Sequence, residues 1–432
     1  MSNKVKVSIM GCGTVGSAVN KAIRNSKREI RRRTGLDIEV HSILVDDMKK
    51  ARGNGVDTGI LTDDFHAALE GADIVAYCIP GDEIPYMHIS EMIELDLARA
   101  IITPNKIVMA NHPELFGLAL EHKVNVLYGA AAGGSLELPN KIAGLAEQGA
   151  IVGLKGLTNG TTNDMLTTQR LGWVYQRALA RAQKKGYAEP DPTSDVEGHD
   201  NQYKIALLAS LAFNAPISPA DVYARGITSL SRQDFIRAEQ TGYVIKMLSI
   251  AERTKKGYVL GTEPMLIPKT HWLANVDNNL NALCVEMEDG YTLQIGPGPG
   301  AGPMPTARAV VNDIIRAAKM MQSGMIDVPT YFRGDKGRIV PQGEVESKFY
   351  IGVVGVDEPG TLADIAAWLT NKRLNIASIN QEAHVRGHER GWAPIAITTK
   401  PTTYANISHA VAGLETNPRI QSGSKVSLIR IL

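Results

Sequence analysis

The 432-residue chain is too long for one ordinary hydrophobic core and predicts two or three domains. With 44% apolar and 21% charged residues it has the composition of a soluble globular protein. A formal net charge of +1 removes the electrostatic case for nucleic acid or an anionic membrane surface as partner. Cys12, Cys78 and Cys284 stand far apart, without disulfide or metal-ligand spacing, and read as small core residues in a reducing compartment. Met-Ser-Asn-Lys leads directly into a strand, with no cleavable leader and no apolar run long enough to span a bilayer, so a cytoplasmic setting is expected.

Residues 5–10 form a short apolar strand that runs into Gly11-Cys12-Gly13-Thr14-Val15-Gly16. A helix follows, with Val15, Val19, Ile23 and Ile30 on one stripe, ending near Gly35. A second strand, 38–45, terminates at Asp46-Asp47. G-x-G-x-x-G alone is a weak signal, but between a strand and a helix, with acids closing the next strand, it predicts a dinucleotide whose pyrophosphate sits on the helix N-terminus. Gly11, Gly13, Thr14, Val15 and Gly16 are the expected cofactor contacts. Asp46 suits an adenosine ribose and leans to NAD, because a 2′-phosphate would be repelled; Lys49, Lys50 and Arg52 nearby keep NADP open.

Residues 73–80 and 100–106 read as further parallel strands, the second ending in a loop at the carboxyl edge where ligands bind in open sheets. Lys106 stands there; taken alone it is a solvated loop lysine. A strand at 124–128 precedes the small-residue run 129–135. Residues 150–158 form a strand, Asn159-Gly-Thr-Thr-Asn163 turns into a helix, and a helix spans 174–185. Gly186 follows that helix in the left-handed region, Pro190 and Pro192 force extended backbone, and Asp195 starts the next helix. Asp200 and Lys204, four apart, project from one helix face, where an ordinary surface ion pair is worth a few tenths of a kcal/mol. Near the end of this region, the glycine- and proline-rich run 296–306 precedes a helix over 307–321 and reads either as close backbone approach to a ligand or as a flexible loop.

Spacing then ties these pieces together. Ala182, three residues, Gly186-Tyr187, then Pro192, two residues, Asp195-Val196-x-Gly198-x-Asp200, three residues, Lys204 resembles the signature segment of homoserine dehydrogenases. Leu157-x-Asn159-Gly-Thr-Thr-Asn163, Asn105-Lys106, and Gly298-Pro-Gly300-Ala-Gly302 followed by Pro305-Thr306-Ala307 are similar to further segments of that family. Pro104 replaces a usual Ala, Arg308 a usual small residue, and Asp46 stands where many members carry arginine. The resemblance covers nearly the whole chain. It implies an α/β protein with a Rossmann-type dinucleotide-binding domain (1–135), an α+β catalytic and dimerisation domain (136–306), a helix returning to the nucleotide domain (307–326) and a linker (327–346).

The reaction implied is NAD(P)-dependent interconversion of L-aspartate 4-semialdehyde and L-homoserine, toward threonine and methionine. By the same resemblance, Lys204 is the acid/base and Lys106 polarises the carbonyl or fixes the cofactor. A lysine held beside another cation and away from water suits proton donation near neutrality. Glu189 and Asp200 accept from the amino-acid substrate, Asp195 caps its helix or supports Lys204, and Gly186 belongs to the substrate segment. Gly300 covers the nicotinamide, and backbone carbonyls of Tyr128, Ala131, Gly133 and Ser135 hold a sodium ion. A homodimer or homotetramer is expected. Two other readings remain: a different semialdehyde or amino-acid dehydrogenase of this fold, and an inactive nucleotide- and amino-acid-binding regulator.

After a connector, residues 347–432 alternate strand, helix, two strands, helix and strand. With Asp357-x-Pro359-Gly360-x-Leu362 this order resembles an ACT domain, which implies an amino-acid effector near Asp357, Gly360 and Asn375; a dimerisation module without ligand fits the same pattern.

Overall fold

The computed structural model describes residues 4–48, 58–381, 391–421 and 426–432. Lys49, Lys50 and Arg52 lie outside the described residues. The chain divides into two compact units, one of residues 1–160, 200–222 and 279–337, the other of 161–199, 223–278 and 338–432.

In the first unit, β1 (Lys4–Met10), β2 (Asp37–Leu44), β3 (Leu61–Thr62), β4 (Ile74–Tyr77), β5 (Ala100–Ile102) and β6 (Asn125–Leu127) form a parallel sheet in the order β3-β2-β1-β4-β5-β6. Val7, Ile9 and the whole of β4 are buried, the continuous apolar pattern of strands covered on both faces. Strand order reverses beside β1, which opens a crevice at the carboxyl ends of β1 and β4. The helix Thr14–Thr34 covers one face and stops at Gly35, whose φ of 75° gives the left-handed cap expected there. The helix Pro303–Ser323 packs beside it, and Val310, Ile314 and Ala317 share one core with Val19, Ile23 and Ile9.

The same unit carries an antiparallel sheet of Thr292–Pro299, Leu280–Met287 and Ile151–Leu157. The run 296–306, read as close backbone approach or a flexible loop, begins as strand over Gly296-Pro297-Gly298-Pro299, and the helix expected over 307–321 begins earlier, at Pro303. The strand pairs on one side with Leu280–Met287 and ends the sheet, so prolines without N–H groups are tolerated. Pro303 fits the first turn of a helix, where an N–H would have no intrahelical partner.

In the second unit, Tyr243–Thr254 and Gly257–Pro268 form a long antiparallel hairpin, and Ser427–Ile431 adds to it in parallel. Next come Glu346–Val356, Trp392–Thr399 and Ile376–Gln381. With the helices Thr361–Asn371 and Tyr404–Leu414, the C-terminal segment has the strand and helix order read from its sequence plus a two-residue strand, Thr402–Thr403, that pairs with Glu346–Val356. Phe349, Ile365, Leu369, Ile395, Ile407 and Leu414 share its core.

Candidate active site

The first glycine segment is built for close approach. Gly11 has φ of 91°, and a Cβ on Gly16 would lie 1.9 Å from the Gly11 carbonyl oxygen, so the turn admits only glycine at both places. Gly13 caps the helix Thr14–Thr34, and nothing lies within 4 Å of where its Cβ would be. Beyond it opens a cavity of about 460 Å³ lined by Gly11, Gly13, Asp46, Asp63, Phe65 and His88, among others. The Phe65 and His88 rings stack 4.2 Å apart, and Tyr77 Oη lies 2.9 Å from His88 Nδ1. Burial lowers the His88 pKa against the pull of Glu91. Unbonded helix N–H groups, a steric gap above Gly13 and an acid at the β2 end fit a dinucleotide.

Thr-Pro-Asn-Lys after β5 works as a clamp. Asn105 Oδ1 accepts from the N–H groups of Ile107 and Val108, while its Nδ2 donates to the carbonyls of Ile79 and Gly81. This starts the helix Lys106–Asn111 with Lys106 as its first residue. Lys106 Nζ reaches Asp200 Oδ1 at 3.0 Å.

Asp200 and Lys204 are not a surface pair. They are 6% and 7% exposed on the helix His199–Phe213, which is buried from Lys204 through Phe213. Lys204 Nζ donates to Asp200 Oδ2 at 2.6 Å and to the Thr158 carbonyl at 2.8 Å. Asn159 Nδ2 donates to the same Asp200 oxygen at 2.7 Å. Burial opposes ionisation of Asp200, yet Lys204, Lys106 and the two hydrogen bonds hold its carboxyl well below the usual carboxylate range. The result is one carboxylate between two ammonium groups. Because burying such charges commonly outweighs their mutual attraction, the cluster has no rationale as a stability device alone.

The motif Asn159-Gly-Thr-Thr-Asn163 divides its labour. Asn159 serves Asp200 in the first unit. In the second, Thr161 Oγ1 donates to the Tyr187 carbonyl at 2.7 Å, and Asn163 Oδ1 accepts from the buried Lys246 Nζ at 3.0 Å. Lys246 also donates to Val276 O and to Asp277, filling its three N–H positions in a structural role.

Of the remaining site residues predicted from sequence, Gly186, Glu189 and Asp195 lie in the second unit, and Tyr128, Ala131, Gly133, Ser135 and Gly300 lie in the first. Gly186 has φ of 71° just past the helix Tyr175–Lys184, as read. Glu189 is exposed, and its carbonyl accepts from Gln183 Nε2. Asp195 does not start the helix His199–Phe213. It lies inside the short helix Thr193–Val196, whose N-cap is Pro192, and Asp191 Oδ1 just before it accepts from the N–H and hydroxyl of Thr193. Gly198, with φ of 87°, interrupts the backbone, so the long helix begins at His199. Tyr128 and Gly133 carbonyls accept from the Ala131 and Leu136 amides, and Ser135 Oγ donates to Pro299 O at 3.0 Å. Among the described residues no group of three His, Cys, Asp or Glu is placed to hold a metal ion. Sequence reasoning missed the Thr158 carbonyl and Asn281, whose Nδ2 donates to it at 2.8 Å. A backbone oxygen and a lone strand asparagine leave no spacing to find.

A parallel sheet with a glycine turn for a dinucleotide, beside a buried lysine–carboxylate–lysine cluster, defines an NAD(P)-dependent oxidoreductase. Residues 140–315 match the family model described as homoserine dehydrogenase, and residues 11–129 the one described as homoserine dehydrogenase, NAD binding domain. Homoserine dehydrogenase of Pseudomonas aeruginosa is 35% identical, covering 95% of both chains, and that of Mycobacterium tuberculosis is 34% identical over 98% of this chain and 97% of the relative. A solved homoserine dehydrogenase from Thiobacillus denitrificans superposes with a TM-score of 0.90 at 30% identity, covering 99% of this chain and 98% of that one. The chain belongs to the homoserine dehydrogenase family, and its reaction is the NAD(P)-dependent interconversion of L-aspartate 4-semialdehyde and L-homoserine.

Proposed function

We propose that Lys204 moves the proton in this reaction. The observation that carries the reading is a buried ammonium with two of its three N–H groups taken by Asp200 and the Thr158 carbonyl, leaving one donor for a substrate oxygen among the described residues. The bound nicotinamide supplies or accepts the hydride. In the reducing direction Lys204 delivers a proton to the oxygen where negative charge develops; in the oxidising direction it removes one from the hydroxyl. Lys106 adds positive charge at the same oxygen or orders the cofactor, and Asp200 keeps both ammonium groups in register. Asp200 accepts from the substrate ammonium or hydroxyl, and Gly186, Glu189 and Asp195 make up the substrate segment read from the sequence. Lys204→Ala is the test. Homoserine oxidation near the wild-type rate in that variant overturns the assignment.

For the cofactor, Gly11, Gly13, Thr14, Val15 and Gly16 hold pyrophosphate, Gly300 covers the nicotinamide, and Asp46 accepts from an unphosphorylated ribose. NAD is therefore preferred to NADP, as kcat/KM for the two will report. Carbonyls of Tyr128, Ala131, Gly133 and Ser135 bind sodium, so replacing sodium by a bulky organic cation lowers activity. The C-terminal β-α-β-β-α-β segment works as an ACT-like module: an amino acid such as threonine binds near Asp357, Gly360 and Asn375 and changes the rate. The chain assembles as a homodimer or homotetramer in the cytoplasm, and light scattering reads that size. Among the described residues no helix is long and apolar enough to cross a membrane.

A further inference from the structure

Asn281 lies fully buried on the strand Leu280–Met287, at the point where pairing with Thr292–Pro299 changes register. Its Nδ2 donates to the Thr158 carbonyl at 2.8 Å, and Lys204 Nζ donates to that same oxygen at the same distance. A carbonyl oxygen has two lone pairs, and these two donors fill them. The Thr158 hydroxyl accepts in turn from Asn201 Nδ2 at 2.9 Å, so the peptide that anchors Lys204 is held from two sides. The other side of Asn281 faces Gly300. A Cβ there would lie 2.0 to 2.2 Å from Cγ, Oδ1 and Nδ2 of Asn281, and Asn281 Oδ1 is buried without a hydrogen-bond partner among the described residues. One amide thus touches the segment assigned to the nicotinamide and the carbonyl that fixes the lysine.

We propose that Asn281 is a positioning residue for Lys204: by occupying one lone pair of the Thr158 carbonyl it fixes where the ammonium sits and limits how strongly that oxygen accepts from it. The charged groups facing Lys204 are Asp200 on its own helix and Lys106 across the carboxylate. Removal of the Asn281 donor leaves the Thr158 oxygen a stronger acceptor, which favours the ammonium over the neutral amine. Lysine must be neutral to take a proton from homoserine.

The inference rests on Lys204 as the proton-transfer group. Its test is steady-state oxidation of homoserine by Asn281→Leu, which keeps the volume and loses the donor. We expect kcat to fall about 10- to 100-fold, the loss of one well-placed hydrogen bond to a charged system, with KM changed by less than about threefold because ground-state binding is spared. The ascending limb of the kcat–pH profile moves to higher pH, and the solvent deuterium isotope effect on kcat rises as proton transfer becomes slower. Asn281→Asp removes the same donor with the original shape and shifts the limb further, so it serves if the leucine variant does not fold. A variant with altered thermal stability but unchanged pH limb and isotope effect overturns the proposal. An active Lys204→Ala overturns the underlying reading instead.

Discussion

Lys204 Nζ lies 2.6 Å from Asp200 Oδ2, one helical turn back, in a site where both side chains are nine-tenths buried. The pair is shared: Lys106 takes the other carboxylate oxygen. Removing Lys204 therefore leaves Asp200 with a cationic partner, which keeps the damage chemical rather than structural. For Lys204→Ala we expect homoserine oxidation to fall by about 10²- to 10⁴-fold, with cofactor binding, read by fluorescence titration, close to wild type.

The proposed preference for NAD rests on Asp46, which lines the cavity beside the glycine turn. Asp46→Arg replaces a ribose acceptor by a partner for a 2′-phosphate. We expect the kcat/KM ratio of NAD to NADP to drop about 10- to 100-fold, the worth of one charge-assisted hydrogen bond. An unchanged ratio would remove Asp46 from the specificity argument.

Gly16 leaves no room for a side chain, since its Cβ would meet the Gly11 oxygen at 1.9 Å. Gly16→Ala forces the turn apart and should lower stability by about 1–3 kcal/mol, as overpacking does. Cofactor affinity should fall as well, measured by calorimetry, whereas Gly13→Ala, with open space above it, should weaken cofactor binding with little change in melting temperature.

Asp313 offers a pH signature. It is buried in the helix Pro303–Ser323 and accepts from the Gly129 N–H and from Asn140 Nδ2. Burial outweighs these bonds and the Arg316 charge and raises its pKa from 3.8 to about 6. Between those values the folded protein holds more protons than the unfolded chain, so stability is full below pH 4 and declines as pH rises toward 6. The decline attributable to this group is as much as about 3 kcal/mol. Denaturant titrations across that window should show the slope in wild type and lose most of it in Asp313→Asn.

Lys246→Met tests a lysine with no assigned part in the chemistry. It leaves Asp277 with Arg170 and strips three acceptors of their donor. Stability should fall by about 3–5 kcal/mol, as for a broken buried pair, and a melting temperature within a degree of wild type would contradict the structural role given to it.

Where chemistry constrains spacing, the sequence was readable. Gly11 through Gly16 and Asp200 with Lys204 lie where their patterns imply, because a turn and one helix face each fix residues a few positions apart, whereas Asn105 and Lys106, read as a loop, cap and open a helix. Long-range geometry left less trace. Prolines 297 and 299 read as loop because local propensity says so, and only an unpaired sheet edge makes them strand. Asp195 looked like a helix start until Gly198 broke the backbone after it. Asn281 carried no signal at all, since its meaning comes from Thr158, 123 residues away.

The helix Pro303–Ser323 lends Val310, Ile314 and Ala317 to a core otherwise made by the first 130 residues. During synthesis, then, the nucleotide-binding sheet exists as chain long before it can close. Until the ribosome has passed roughly residue 320, Val19, Ile23 and their neighbours lack the surface that covers them. An amino-terminal fragment cut before this helix should therefore be sticky rather than a working miniature of the cofactor half.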